Sequence, residues 1–319
     1  MPIAAEAECL RMVAVSTAWN SLRHSSGQEM VSELLELGFD ALELDVHVTR
    51  KMIQEVQEMA QKGLVRISSL HNYCPVPEGI EREVAAGNIL PLSSLDKNER
   101  RKAVAQTLVT MDWAARLEAR SVILHLGTID LPLVQREALR LIGAGRREEA
   151  KIMLMESLTT RAAMRRPYLD SVIASVSELA GHAEALGIRL GLETRYYYNE
   201  IPSLDEFQFI LQNVDSRAVG YWHDTGHAHV MEVLGIATQE AFLQKYEDRL
   251  IGVHLHNAVD GSDHRPLSRG EIDFSKLLPY LRDDVDLVLE VHGNAGPGEL
   301  VRSREIAREL LTKRKKGET

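Results

Sequence analysis

The sequence predicts an α/β fold: a single (β/α)8 TIM barrel over residues 1–319, with a helical insertion after the fourth strand at about 131–166. Three observations predict it. Short apolar runs alternate with amphipathic helical stretches about eight times, the rhythm of strand–helix units closing around a parallel sheet. No G-x-G-x-x-G follows the first strand, so a doubly wound sheet lacks its phosphate-binding signature. No low-complexity linker divides the chain.

The elements follow in order. Residues 12–16 read as the first strand and 28–37 as an amphipathic helix closed by Gly38, a residue type that ends helices in the left-handed conformation. Residues 39–44 form the second strand, 50–62 a helix before Gly63, and 64–70 the third strand, with His71 at its end. An irregular segment, 72–95, carries Pro75, Pro77 and Pro91. A helix over 97–118 leads to the fourth strand, 121–125, ending on His125. Helices are predicted at 133–142, 146–160 and 168–186, the first two as the insertion, packed over the site or against a partner subunit. The fifth strand, 188–192, ends on Glu193; the sixth, 219–223, on Asp224. The seventh, 250–255, is flanked by His254 and His256, and the eighth, 286–289, ends on Glu290. The last helix spans about 299–311.

Composition narrows the function classes. The formal net charge is −10, so bulk attraction to nucleic acid or anionic membrane is not indicated. No apolar run approaches the roughly 20 residues needed to span a bilayer, and the first residues lack a signal peptide's basic flank and apolar core. The two cysteines, Cys9 and Cys74, offer neither a disulfide framework nor a CxxC, which points to a reduced, cytoplasmic setting.

In a barrel of this kind the active site lies at the C-terminal strand ends. His71, His125, Glu193, Asp224 with His227, His256 and Glu290 fall there, with His264 just beyond. Chance rarely leaves nearly every strand from the third to the eighth ending in a metal-competent side chain. Glu193 and Glu290 each cap an apolar strand, where a carboxylate pays for desolvation unless a cation or donor sits beside it. Glu193, Asp224, His256 and Glu290 form an O,O,N,O set suited to Mn²⁺, Co²⁺, Mg²⁺ or Zn²⁺. Arg195 and the tyrosines from Tyr196 onward suit recognition of a phosphate, a carboxylate or sugar hydroxyls; the alternative is a rim of packed tyrosines with Arg195 paired to Glu200. Trp19, Asn20 and Tyr73 are candidates for stacking on or hydrogen bonding to a sugar, or for packing the rim. Cys74, with no neighbouring base, reads as a packed thiol. His223 alternates with the inward positions and is not expected to be a ligand.

These residues resemble the xylose-isomerase-like TIM-barrel superfamily, which includes sugar isomerases and epimerases and the endonuclease IV type of abasic-site nuclease. The matching pieces are SLHN at His71, LHLG at His125, GLET at Glu193, DTGH at Asp224 and His227, HLHN at His256, LEVHG at Glu290, and the Asp263-His264-Arg265-Pro266 and Gly270-Glu271-Ile272-Asp273 pieces between them. The resemblance implies a metal between Glu193 and Glu290, one glutamate removing a proton alpha to a carbonyl and the other returning one, with His227 bonding a substrate oxygen. The nuclease-type relatives imply more than one ion, held by His71, His125, Glu193, Asp224, His227, His256, an aspartate two residues before the last histidine, His264 and Glu290. Ser262 stands at that aspartate position, and Asp263 is displaced to the residue adjoining His264, where alternation on an extended loop argues against a direct replacement; Asp263 stays with His71, His125, His227 and His264 as a candidate for a further metal or substrate contact. That break, the strand-five loop and the acidic balance favour a sugar or sugar-phosphate isomerase or epimerase over a phosphodiesterase. The expected partner is a small polyol or keto-sugar, not nucleic acid or membrane, and a homo-oligomer is expected, the insertion being a candidate dimerisation arm. A barrel that binds a metabolite without chemistry is the third reading, and the near-complete ligand set argues against it.

Overall fold

The computed structural model describes residues 13–316; Cys9, and Met12 as the start of the first strand, lie outside them. Eight strands form the wall: β1 (Val13–Ser16), β2 (Ala41–Leu44), β3 (Arg66–His71), β4 (Ser121–Leu124), β5 (Arg189–Glu193), β6 (Val219–Asp224), β7 (Leu250–Leu255) and, after a hairpin of β8 (Asn257–Val259) and β9 (Ser262–Arg265), β10 (Asp286–Leu289). They close as β1-β10-β7-β6-β5-β4-β3-β2, every neighbouring pair in the wall parallel. The (β/α)8 barrel read from the sequence is the fold.

Strand alternation sorts the residues into two shells. Outward positions such as Val15, Leu42, Leu124, Leu192, Val253 and Leu289 pack under the helices in the main core. Inward positions make a second, separate cluster of Ala14, Ala41, Ile123, Trp222 and Val288. Trp222 fills the bore there because Gly191 and Gly252 leave room for it: a Cβ on Gly252 would lie 2.0 Å from the indole ring, and one on Gly191 2.9 Å from it.

The helices are α1 (Gly27–Glu36), α2 (Arg50–Gln61), α3 (Lys97–Arg116), α4 (Gln135–Gly143), α5 (Arg147–Leu186), α6 (Leu204–Val214), α7 (Thr225–Val233), α8 (Gln239–Tyr246) and α9 (Pro297–Lys316). Side-chain caps start several of them, Ser26 for α1, Thr49 for α2 and Asp96 for α3, while Ser203 and Glu206 make a reciprocal capping box on α6. No helix among the described residues is long and apolar enough to cross a membrane.

The insertion differs from expectation. The helices expected at 146–160 and 168–186 are one 40-residue helix, α5, running through Pro167. Proline removes one helical hydrogen bond and crowds the preceding turn, but tertiary contacts hold both sides. Before it, Arg161 is buried against Glu206 at 2.6 and 2.7 Å; after it, Leu169, Val172 and Val176 lie in the core. The insertion is therefore α4 plus the leading half of a helix that belongs to the barrel.

Candidate metal centre

The strand ends converge on a cavity of about 410 Å³, into which His71, His125, Glu193, His227, His264 and Glu290 all project. Among the described residues, three groups of side chains there bring ligand-capable atoms within 4.8 Å of one another: Glu193, Asp224, His254 and Glu290; Asp224, His227, His256 and His264; and His71, His125 and Glu193. A larger groove, about 680 Å³, opens at the opposite end of the barrel around Arg66, Arg120 and Asp286, and none of the three groups touches it.

The first group differs from the expected set in its histidine. The histidine that joins Glu193, Asp224 and Glu290 is His254, not His256. Both point inward, His254 on β7 and His256 two residues on, just past its end, but the register sets His254 directly beside Asp224, one layer deeper than His256. His254 Nδ1 lies 2.6 Å from Glu193 Oε1, 3.0 Å from Glu290 Oε2 and 3.6 Å from Asp224 Oδ2, and Nε2 lies 3.2 Å from Glu43. Burial disfavours the imidazolium, yet Glu290 and Glu43 outweigh it and hold the His254 pKa well above the usual histidine range. Glu193 and Glu290 also pay for burial, and their cationic neighbours hold both well below the usual carboxylate range.

His256 stands higher. Its Nδ1 accepts the His264 backbone N–H at 2.8 Å, so Nε2–H donates to Asp224 at 2.9 Å. Asp224 caps α7, accepting the His227 backbone N–H at 2.7 Å. The His227 ring donates from Nδ1 to the Thr194 carbonyl at 2.9 Å and places Nε2 3.3 Å from Asp263. Against the cost of burial, Asp224 and Asp263 raise the His227 pKa to about 9.

Asp263 does face the cavity, contrary to the alternation argument. Its Oδ2 lies 3.2 Å from His264 Nδ1 as well as 3.3 Å from His227. His264 has φ +53°, a left-handed kink that breaks the two-residue period and turns adjacent side chains to one side. The tight turn at Asp260 and Gly261, both with positive φ, delivers β9 to this place.

On the other side, His125 Nε2 lies 2.8 Å and His71 Nε2 4.0 Å from Glu193 Oε2. Burial, then the charge of Arg195, lowers the His125 pKa to about 3, so its imidazole is neutral. Gly87 lies against this ring; a Cβ there would sit 2.4 Å from His125 Nδ1. Arg195, buried, donates to Glu193 and, at 3.0 Å, to Glu200, and the Tyr196 hydroxyl donates to the Gly261 carbonyl at 2.6 Å. Both line the cavity. Trp19 does not: it is 1% exposed, packs in the core and donates its indole N–H to the Ala295 carbonyl at 2.9 Å. Asn20 and Tyr73 are likewise buried and bonded to the scaffold, to Met30 and Leu90 respectively. His223, bonded to the Tyr221 hydroxyl at 2.6 Å, is in none of the three groups.

Four residues of the site escaped the sequence reading, Glu43, Asp45, His47 and His292, besides the role of His254, whereas the pairing of Arg195 with Glu200 was one of its two readings and is present at 3.0 Å. The signal for Glu43 was its place opposite Leu42 and Leu44 in an apolar strand, and for His292 its two-residue spacing from Glu290.

The residues fit a divalent cation. Four buried groups offer carboxylate oxygens and an imidazole nitrogen in one place, and Glu290 Oε2, buried, receives no hydrogen bond of good geometry.

Comparison with known proteins agrees with this architecture. The family described as Xylose isomerase-like TIM barrel matches residues 31–310. An uncharacterised protein of Methanocaldococcus jannaschii is 28% identical over 151 residues, 45% of this chain and 49% of that protein, so the match spans about half the length of this curated relative. Among solved structures, a D-tagatose 3-epimerase-like protein superposes with a TM-score of 0.68 at 20% identity, covering 97% of this chain and 100% of its own. D-psicose 3-epimerase with D-tagatose from Clostridium cellulolyticum H10 gives 0.65 at 16%, covering 94% and 99%. An IolI protein with a bound zinc atom gives 0.64 at 12%, covering 95% and 98%. The family match covers most of the chain, and the protein belongs to the xylose isomerase-like TIM-barrel family.

Proposed function

We propose that this protein is a metal-dependent sugar isomerase or epimerase that moves a proton at the carbon alpha to a carbonyl. The observation that carries the reading is the buried pair Glu193 and Glu290, gathered with Asp224 and His254 at the floor of a cavity of about 410 Å³, a size suited to a small polyol or keto-sugar. Epimerase structures with the same barrel, one of them holding D-tagatose, support the substrate class.

Glu193, Asp224, His254 and Glu290 would hold a divalent ion such as Mn²⁺, Co²⁺, Mg²⁺ or Zn²⁺, which when bound supplies Lewis-acid polarisation of the carbonyl. One glutamate takes the proton from the alpha carbon; the other returns a proton to the opposite face, or the first relays it to the neighbouring carbon. Having cationic neighbours, both carboxylates are ionised and able to accept. His227, its Nδ1 held by the Thr194 carbonyl, turns Nε2 toward the cavity beside Asp263, where it would donate to a substrate oxygen in place of that carboxylate, and Arg195 and Tyr196 border the same space. The roof of Ala85, Ala86 and Gly87 and the wall of Tyr196 and Tyr197 line the same cavity.

The test is proton exchange. The metal-loaded protein is incubated in D₂O with D-tagatose, D-psicose and L-ribulose, and deuterium at the alpha carbon is followed by NMR. Glu290→Gln is expected to keep the fold and lose the exchange; normal exchange in that variant sinks the two-glutamate assignment.

A multi-metal phosphodiesterase is the second reading, and the observation favouring it is Asp263, which stands with His227 and His264 on the cavity. Two or three tightly held ions per chain by elemental analysis, together with cleavage of abasic-site DNA, would establish it in place of the first.

A further inference from the structure

Arg195 sits two residues beyond Glu193, with its side chain buried. Its fork spans two carboxylates: Nη1 donates to Glu193 Oε2, and Nη2 donates to Glu200 Oε1 at 3.0 Å. The Glu193 oxygen it holds is the same one that faces His125 at 2.8 Å and His71 at 4.0 Å, while the other oxygen faces His254 at 2.6 Å. The lone pairs that a cation between His71, His125 and Glu193 would use are thus already engaged by a guanidinium.

The second carboxylate is a fixed mooring. Glu200 accepts the Tyr197 backbone N–H at 2.8 Å and the Asn88 amide at 2.5 Å, and is itself buried. Asn88 follows the Ala85–Gly87 roof in sequence, so Glu200 ties that roof to the loop after β5. If Glu193 is claimed by another cation, the guanidinium keeps its bond to Glu200 and loses the one to Glu193. Glu193, Arg195 and Glu200 all border the cavity, so the freed Nη1–H lies beside the substrate space. Because Glu200 neutralises the charge, the freed N–H suits an uncharged carbonyl or hydroxyl oxygen better than a phosphate.

We infer that Arg195 is a built-in counter-cation that competes for the Oε2 oxygen of Glu193 with a divalent ion seated between His71, His125 and Glu193, and that it is handed to the substrate cavity when that ion binds. The inference rests on the reading of Glu193 as a metal ligand. It makes Arg195 a positioning residue for the empty site and a substrate contact in the loaded one, so that metal binding precedes productive sugar binding.

Calorimetric titration of the chelator-stripped full-length protein with Mn²⁺ tests it without any substrate. Removing the competitor in Arg195→Gln is expected to tighten Mn²⁺ binding about tenfold, since an unpaired buried carboxylate is costly until a cation arrives. Arg195→Lys keeps the charge but cannot bridge two carboxylates, and is expected to tighten binding about threefold. Glu200→Gln removes the mooring, leaves the guanidinium to Glu193 alone, and is expected to weaken binding about threefold; this variant decides the matter should Arg195→Gln fail to fold. Unchanged or weaker Mn²⁺ binding in Arg195→Gln, or tighter binding in Arg195→Lys than in Arg195→Gln, overturns the competition. Glu193→Gln separates the two levels: if it binds Mn²⁺ as wild type does, or if wild type takes up none, the metal reading of Glu193 falls and the inference with it.

Discussion

Arg161 offers a measurable link between the insertion helix and the site. It lies on α5, almost fully buried, and grips Glu206 of α6 through both guanidinium nitrogens, at 2.6 and 2.7 Å, while donating to the Glu200 carbonyl at 2.7 Å. Arg161→Met removes that fork and leaves the buried Glu206 with the Ser203 N–H at 2.8 Å but, as its cation, the half-exposed Arg165, 3.7 Å away. Breaking a buried ion pair on one side costs about 3–5 kcal/mol, because the surviving charge has lost its partner. With an unfolding entropy of about 2.1 cal/mol/K per residue, this chain of 319 residues has about 0.67 kcal/mol/K, so the variant should melt about 4–8 °C lower. The double variant Arg161→Met/Glu206→Gln removes the stranded charge and keeps the side-chain acceptor of the capping box, and should recover more than half of the loss. Scanning calorimetry of the three proteins at one pH and salt concentration gives the comparison. A shift below about 1 °C in the single variant, or a double variant no better than the single, refutes the account.

Other substitutions probe the site and its supports. Gly226→Ala would place a Cβ 2.1 Å from His256 Cε1; the ring must move off Asp224, costing about 1–3 kcal/mol, and Mn²⁺ titration should show weaker uptake, with unchanged uptake counting against a link between His256 and the centre. Trp19→Phe removes the bond to Ala295 and should cost about 1 kcal/mol by urea unfolding while leaving ketose binding unaltered; a selective loss of binding would restore Trp19 to the cavity. Burial, then the charges of Asp45 and Glu43, push the Cys74 thiol well above its ordinary pKa, so peptide-resolved alkylation at pH 8 should find it unreactive until urea unfolds the barrel; rapid native labelling would contradict this packing.

Much of the barrel was legible because strand residues buried on both faces leave long apolar runs, and because a polar residue at the end of such a run has few reasons to be there. Glu193, Asp224 and Glu290 were visible for that reason, and the structure gathers all three. What stayed hidden depends on register. His254 and His256 have the same parity, and only pairing with β6 shows which one lies at the level of the glutamates. Glu43 contacts His254 across 211 residues of chain, a proximity that no local pattern contains. Asp263 was misjudged because the period-two rule assumes an extended backbone, and the left-handed His264 breaks that assumption. The helix break expected near Pro167 follows the intrinsic preference of proline, which tertiary anchoring at Arg161 and Leu169 overrides.

The plug of Trp222, Ala14, Ala41, Ile123 and Val288 in the bore has a consequence for traffic. The centre lies above an apolar stopper, and the two glycines that admit the indole let it occupy the bore. Reactant, product and water therefore share one doorway, at the loop end of the barrel. A product must leave before the next reactant enters, so each will act as a competitive inhibitor of the other. Enlarging the bore by Trp222→Ala would add a hollow below the centre without opening a second exit, since Ala14, Ala41, Ile123 and Val288 still line the passage.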